Sequence, residues 1–569
     1  RVHRPPALLA LLALAGALLA GACAPDEAPV PADTGVKRAR LPPDAPRLVL
    51  FLVVDMGAPA QLQRHRPLFT GGLARLLEES ASFTDAHHLH ADTDTSAGHA
   101  TLATGRHPSG HGIVSNWWLD PETGAEVYSA EDDEGVVSPR RLLAETLGDW
   151  LGAVPDARVF AASAKDRSAV LLGGHHPEAA YWYDRETGRF TTSPYYTGRH
   201  PDAGPVPGEP PAWVDRFHRE HPPAERFGAA WEPLPEVAAA AEELGVASLD
   251  FGAAGEWYAF PHVLGGMTAA PGEGFYADLY GTPFVDHYLA RFAEALLAQE
   301  ELGADAVTDL LALSFSAPDS VGHRYGPDSL EYADALVRLD GALGELLDAV
   351  DRRVGLERTL IVLSADHGVA PAPEIDAARG GPGRRAGAAE ALCVQGLEAA
   401  LEGRFRRAGG LPGSRWLRPG PFFEAAALEA RGIERAEAEA AAREHLEACP
   451  GVARVWTRSE LAGPARPGDP TALLFAHSFH PERSPDFVLQ LEEGLLPASP
   501  MTAASHGSPY PHDTHVPWLV RGAGIAAREI PGRVGTVDVA PTVAALVGLP
   551  VPEGLDGVDR SGALRGEPE

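Results

Sequence analysis

LVLFLVVD, Leu48–Asp55, is an unbroken apolar run that ends on a carboxylate. A strand covered by helices on both faces of a parallel sheet reads this way, because none of its side chains faces water. The pattern recurs: Leu310–Ser316 (LLALSFS) leads to Asp319, and Thr359–Ser364 (TLIVLS) leads to Asp366. Between these runs lie helical segments, Gly71–Ser80, Asp286–Glu300 and Ser329–Arg353, the last with Leu336, Leu343, Leu347 and Val350 at helical spacing. Further strands are expected near Arg158–Ala162 and over Val516–Val520, and a closing helix over Asp538–Val547. Strands alternating with helices imply an α/β fold, a mostly parallel central sheet sandwiched by helices. Ligands of such sheets bind beyond the carboxyl ends of the strands, so Asp55, Asp319 and Asp366 should converge on one edge.

Two stretches break the rhythm. Tyr181–Asp184 and the Pro-rich Pro201–Pro235 read as an insertion with little regular structure, and Asp376 to about Pro500 as a second one. The second carries Ala/Glu-rich helices, the last over Glu434–Ala448, and a strand near Val452–Trp456. At the N-terminus, Arg1, His3 and Arg4 precede the apolar run Ala7–Ala20, which falls short of the ~20 residues a bilayer span needs. A basic start, a short apolar stretch and small residues make a secretory signal. Its end, Ala20-Gly21-Ala22-Cys23, is of lipobox type, with Cys23 lipidated; cleavage by ordinary signal peptidase is the alternative. The expected organisation is a signal over 1–22, a flexible tether over 23–46, and a catalytic domain over 47–569 with insertions at about 185–280 and 376–500. Such a protein is exported, to the periplasm or cell surface of a bacterium. Cys393 and Cys449 remain, as one bridge in an oxidising compartment or as two buried thiols.

A formal net charge of −32 argues against nucleic-acid binding, which needs a basic stripe. An anionic substrate would have to find positive charge locally, from metal ions or a few chosen Lys and Arg. Hydrophobic content of 45% is ample for a core. Membrane contact is expected only through the lipid on Cys23, and a monomer is the default state.

The chemistry centres on ADTDTSAGHATLATG, Ala91–Gly105. Thr95 and Ser96 stand just ahead of an expected helix, Ala97–Thr104, where a hydroxyl is usually a cap. Asn116 follows, an amide able to donate to an oxyanion. Six candidate ligands stand out: Asp55, Asp319, His323, Asp366, His367 and His506. Singly each has an ordinary explanation, a cap, a local pair or a turn, and His506 competes with His512 and His515. Jointly, three carboxylates at strand ends of one sheet would repel one another without cations. Mixed Asp/His ligation suits zinc, and two zinc ions about 4 Å apart can hold the attacking and leaving oxygens of a phosphoryl displacement. Lys165 and Arg167 are by default solvated charges.

Taken together, VVDMGAP, TSAGHATLATG with HGIVSNWWLD, KDRSAVLLGGHHPEAAYWYD, SFSAPDSVGHRYGP, SADHGV and SHGSPYPHDTHVP resemble the alkaline phosphatase superfamily, and within it the bacterial threonine-nucleophile, phosphate-irrepressible alkaline phosphatases. The resemblance implies Thr95 as nucleophile, four residues before His99. It implies Asp319, His323 and His506 as ligands of one zinc, and Asp55, Asp366, His367 and Thr95 as ligands of the other. Asn116, Lys165 and Arg167 are implied to hold the phosphoryl oxygens of small-molecule phosphate monoesters. A nucleotide pyrophosphatase or phosphodiesterase is the alternative, since such enzymes share the ligands, the Thr and an Asn. The polar Asp92-Thr93-Asp94 and the residues just after Asp55 depart from the pattern.

Overall fold

In the computed structural model, described over residues 41–197, 209–246, 259–266, 268–405, 417–418, 422–464, 468–496 and 502–567, Leu48–Val54 forms a fully buried strand, β1. The signal segment, Cys23 and most of the expected tether lie outside the described residues. The other strands of the same sheet are Ala81–His87 (β2), Val159–Ser163 (β3), Ala179–Asp184 (β4), Arg189–Thr191 (β5), Asp309–Phe315 (β6), Thr359–Ser364 (β7), His515–Arg521 (β8) and Arg528–Gly535 (β9). Their spatial order is β9-β2-β8-β7-β1-β6-β3-β4-β5. The centre, β7-β1-β6-β3-β4, is parallel throughout, as is β9-β2. β8 runs antiparallel to both its neighbours, and β5 to β4. The fold is therefore the expected helix-flanked, mostly parallel sheet.

Alternation along β1 shows why both faces are closed. Leu48, Leu50, Leu52 and Val54 join one apolar cluster with helices Phe284–Gln299 and Leu330–Arg353. Val49, Phe51 and Val53 join the opposite cluster, with Leu102, Val170 and Val543 from three further helices. Side chains of a strand point alternately to the two faces, so one seven-residue segment seals the sheet to both helical layers. The long helix starts at Ser329, whose hydroxyl accepts from Tyr332 N at 3.0 Å. No helix among the described residues is long and apolar enough to cross a membrane.

Two segments differ from expectation, and two further strands carry no signal in the sequence. Tyr181–Asp184 is no loop: it lies in β4, with Tyr181 packed into one apolar cluster and Trp182 into the other. Aromatic residues favour strands, and here they fill both faces. Within Pro201–Pro235, Ala212–Glu220 is a helix whose Trp213, Val214 and Phe217 are buried. That apolar stripe outweighs the surrounding prolines. Ala81–His87 and Arg528–Gly535, only partly apolar, are strands because they pair with each other at the sheet's edge.

The stretch after Asp376 holds a small antiparallel pair, Val452–Thr457 with Phe487–Leu491, and an apolar cluster of its own around Leu401, Phe423, Leu446 and Val455. Cys393 and Cys449 are joined by a disulfide.

Candidate active site

Four adjacent parallel strands deliver the chemistry to one edge. Asp366 follows β7, Asp55 follows β1, Asp319 lies in the first turn of helix Ala317–Tyr325 (α1) after β6, and Lys165 follows β3. The carboxyl ends of neighbouring parallel strands point the same way, so residues scattered from Asp55 to Asp366 meet.

The six expected ligands fall into two sets of three. Asp319, His323 and His506 can place one ligand atom each within 4.8 Å of one another, and so can Asp55, Asp366 and His367. Asp319 Oδ1 lies 3.2 Å from His323 Nε2 and 3.5 Å from His506 Nε2. His367 Nε2 lies 3.4 Å from both Asp55 Oδ1 and Asp366 Oδ2. The rings of His367 and His506 stack with centroids 3.5 Å apart, which joins the two sets. His512 and His515 lie elsewhere, His515 stacked on His87.

All three histidines are fixed by their far nitrogens. His323 Nδ1 donates to Ala504 O at 2.9 Å, His367 Nδ1 to Gly368 O at 3.0 Å, and His506 Nδ1 to Thr93 O at 2.9 Å. A carbonyl on Nδ1 orients the ring and leaves Nε2 as the ligand nitrogen. Asp55 Oδ1, Asp319 Oδ1, Asp366 Oδ2 and His367 Nε2 are buried without a hydrogen-bond partner. Buried polar atoms without partners are costly. A mixed carboxylate–imidazole donor set with such atoms aimed inward fits divalent cations of the zinc type.

Lys165 Nζ stands between the sets, 2.5 Å from Asp55 Oδ2 and 2.5 Å from Asp319 Oδ2. It also donates to Thr95 Oγ1 at 3.5 Å. Burial disfavours its ammonium, but Asp319 and then Asp55 outweigh that and hold its pKa above the usual lysine value. For His367, burial works against the charged ring, while Asp366 and Asp55 push its pKa up to about 10. Arg167 sits in the first turn of helix Asp166–Gly173 (α2), near enough to Lys165 to disfavour its charge and beside Tyr128 and Tyr280.

Thr95 differs slightly from expectation: it opens helix Thr95–Thr104 rather than preceding it, and Asp94 is the cap residue. The helix packs closely at Gly98, where a Cβ would lie 2.1 Å from Asp366 O. Only glycine lets the helix press against the β7 turn, and this brings Thr95 to the ligands. His99 clamps the approach, with Nδ1 2.8 Å from Thr95 O and 3.2 Å from Asp366 Oδ2, and Nε2 2.8 Å from Ser314 Oγ.

The sequence did not assign roles to the groups that hold Asn116. Its Oδ1 accepts from Ser96 N at 2.9 Å and Ser96 Oγ at 2.8 Å. Asp94 Oδ2 accepts from Asn116 N at 3.1 Å and Ser115 Oγ at 2.6 Å. With Oδ1 committed, the amide NH2 is the end of Asn116 available to a ligand oxygen. Asp94 and Ser96 reach Asn116 only in the folded chain, so no local pattern in the sequence marks their role.

Clustered carboxylates and histidines, a helix-borne hydroxyl and two cations at the strand ends of an α/β sandwich define a hydrolase of phosphate esters. Residues 49–515 match the family described as Type I phosphodiesterase / nucleotide pyrophosphatase, and the chain belongs to that family, within the alkaline phosphatase superfamily. It is 28% identical over 531 residues to alkaline phosphatase PafA of Elizabethkingia meningoseptica, covering 90% of this chain and 93% of that one. It is 31% identical over 538 residues to alkaline phosphatase PhoK of a Sphingomonas species, covering 89% of each. The crystal structure of wild-type PafA superposes with a TM-score of 0.77 over 92% of this chain and 99% of that chain.

Proposed function

We propose that the chain is an exported phosphomonoesterase, an alkaline phosphatase that works through two zinc ions and a phosphothreonine on Thr95. The observation that carries this is the meeting of Thr95 Oγ1 and Lys165 Nζ with two Asp/Asp/His and Asp/His/His sets at one sheet edge. Asp55, Asp366 and His367, with Thr95, would hold one ion, and Asp319, His323 and His506 the other. Bound there, zinc would supply Lewis acidity to the Thr95 hydroxyl on one side and to the leaving oxygen on the other. Thr95 Oγ1 attacks phosphorus as the bond to the leaving oxygen breaks, and water then cleaves the phosphothreonine. Lys165, Arg167 and the Asn116 amide bind the non-bridging oxygens and offset their growing charge.

The monoester is favoured over the diester by local charge. A monoester carries three non-bridging oxygens and a charge near −2, a diester two and −1; Lys165 stands among the ligand sets, with Arg167 near enough to act on its charge, in an otherwise acidic chain. The diesterase reading keeps its weight from the matched family's description and from short stretches of likeness to human ectonucleotide pyrophosphatase/phosphodiesterase family member 7, 38% identical over 61 residues. The double variant Lys165→Ala/Arg167→Ala decides between them. Charge-assisted hydrogen bonds contribute about 1.5–3 kcal/mol each, so monoester kcat/KM should fall by roughly two to four orders of magnitude, and diester kcat/KM far less. An equal fall in both would remove the main support for the monoester.

The proposed organisation is a lipoprotein signal over 1–22, a tether over 23–46 and a catalytic domain over 47–569, with insertions at about 185–280 and 376–500. On this reading Cys23→Ser moves active enzyme from the membrane to the soluble fraction, because stable anchoring needs more than one acyl chain. An unchanged distribution would count against the lipid anchor.

A further inference from the structure

Beside the candidate active site lies a cavity of about 540 Å³. It meets the site at Ser115 and His506, and its wall includes none of Thr95, Asp55, Asp366 and His367. The rest of the wall is largely apolar, formed by Trp117, Trp118, Phe475, Phe479 and Val488 among others. Separate parts of the chain build it: the hairpin of Trp117–Leu119 with Glu126–Tyr128, helix Pro470–Ser478 with its following loop, and strand Phe487–Leu491. Arg483 ties the loop to the hairpin side. Its Nη1 donates to Gly112 O at 2.5 Å and Arg141 O at 2.7 Å, and its guanidinium lies 5.3 Å from the Trp118 ring centre. Trp117, directly after Asn116, is 45% exposed, with its ring centre 4.3 Å from that of Tyr128.

The volume is in the range of small-molecule pockets, about 300–1,000 Å³, and a wall whose apolar part is built on aromatic rings favours a guest with a flat apolar part. Its position selects which part of a substrate that guest is. In an in-line displacement the leaving group departs opposite the nucleophile. The cavity touches the Asp319–His323–His506 set through His506 and avoids Thr95 and the set beside it, so it lies on the leaving-group side.

We propose that this cavity is the leaving-group subsite, and that the best substrates are phosphate monoesters of bulky aromatic alcohols. This deepens the phosphomonoesterase reading and rests on it. Ethyl phosphate and 2-(2-naphthyl)ethyl phosphate have alcohols of similar basicity and differ in the ring, so their kcat/KM ratio isolates the subsite. The zinc-loaded protein should favour the naphthyl ester by at least about tenfold, since burying a ring removes a large apolar area from water. Trp117→Ala, which removes an exposed wall, and Val488→Phe, which narrows the cavity, should each cut that ratio about tenfold. A second readout needs no turnover: calorimetric binding of 2-(2-naphthyl)ethanol to the same proteins, with and without zinc, should weaken at least about fivefold in both variants. Equal use of both esters by the wild type, or alcohol binding unaltered by either substitution, overturns the subsite while leaving the phosphomonoesterase reading intact. Hydrolysis of neither ester, with alcohol binding that both substitutions weaken, overturns the phosphomonoesterase reading and supports the aromatic pocket alone.

Discussion

At the scale of single residues, Thr95 shows how a common side chain acquires a special position. Its hydroxyl is 3.5 Å from Lys165 Nζ, its carbonyl is held by His99, and its helix is drawn in by the missing side chain of Gly98. None of these contacts needs the Thr95 methyl group. Thr95→Ser therefore keeps an oxygen at the same place and should retain measurable activity. Thr95→Ala should abolish the covalent phosphoenzyme, with loss of at least about two orders of magnitude in kcat, while the six Asp and His ligands stay in place. Trapping with labelled phosphate and a zinc assay on the same sample check both halves. Near wild-type turnover by the Ala variant would transfer the role to Ser96 or to direct attack by water. Ser96 has another occupation here, because its Oγ bonds Asn116 Oδ1 and lies 2.7 Å from Ser129 Oγ.

At the scale of elements, what was legible in the sequence follows burial. β1, β6 and β7 are apolar at nearly every position, because helices cover both faces, and their ends locate Asp55, Asp319 and Asp366. β2 and β9 lie at the sheet's margin with exposed positions, so their sequences, ASFTDAH and REIPGRVG, carry no comparable run. β4 was hidden by its neighbourhood, a strand next to turn residues and prolines. The supports of Asn116 were illegible for a different reason: Asp94, Ser96 and Ser129 meet only through tertiary packing. Cysteine pairing was equally open in the sequence, and in the fold Cys393 of helix Ala388–Gln395 meets Cys449 beyond helix Arg435–Leu446. This link closes a loop of 56 residues inside an apolar cluster separate from the two that flank the sheet. Cys393→Ser/Cys449→Ser should thus cost about 2–4 kcal/mol locally. Hydrogen exchange should quicken in residues 388–457 and stay unchanged in β1, β6 and β7. Uniform loss of protection would mean that the two regions unfold as one unit.

At the scale of the whole molecule, buried histidines tie the sheet to distant parts of the chain. His88, just after β2, donates from Nε2 to Ala365 O at 3.0 Å; its Nδ1 accepts from Thr536 Oγ1 at 2.9 Å and lies 3.2 Å from His90 Nε2. His107 stacks on His477 at 3.7 Å, joining the segment after the Thr95 helix to helix Pro470–Ser478. His111 contacts Thr101 Oγ1 at 3.1 Å. Burial is the first cause that drives their pKa values down, to about 4 for His88 and about 3 for His107, and well below the usual value for His90 and His111. A histidine whose folded pKa lies below its unfolded value is neutral in the native state and takes up a proton on unfolding. Its stabilising contribution is therefore complete above about pH 6.5 and is lost as pH falls toward the folded pKa. Between pH 6.5 and 4.5 the loss is on the order of 2 kcal/mol each for His88 and His107, so stability should drop steeply across a range in which Asp319 and Asp366, both held below the usual carboxylate value, stay ionised. Urea titrations at pH 7.5, 6.5, 5.5 and 4.5 measure the slope. His107→Phe keeps a ring to stack on His477 and removes one titrating group; His107 Nδ1 has no hydrogen-bond partner to lose. The variant should be closest to wild type in stability at pH 7.5 and gain on it as pH falls. Parallel curves for the two proteins would show that acid acts elsewhere, and that the histidines join these elements without sensing pH.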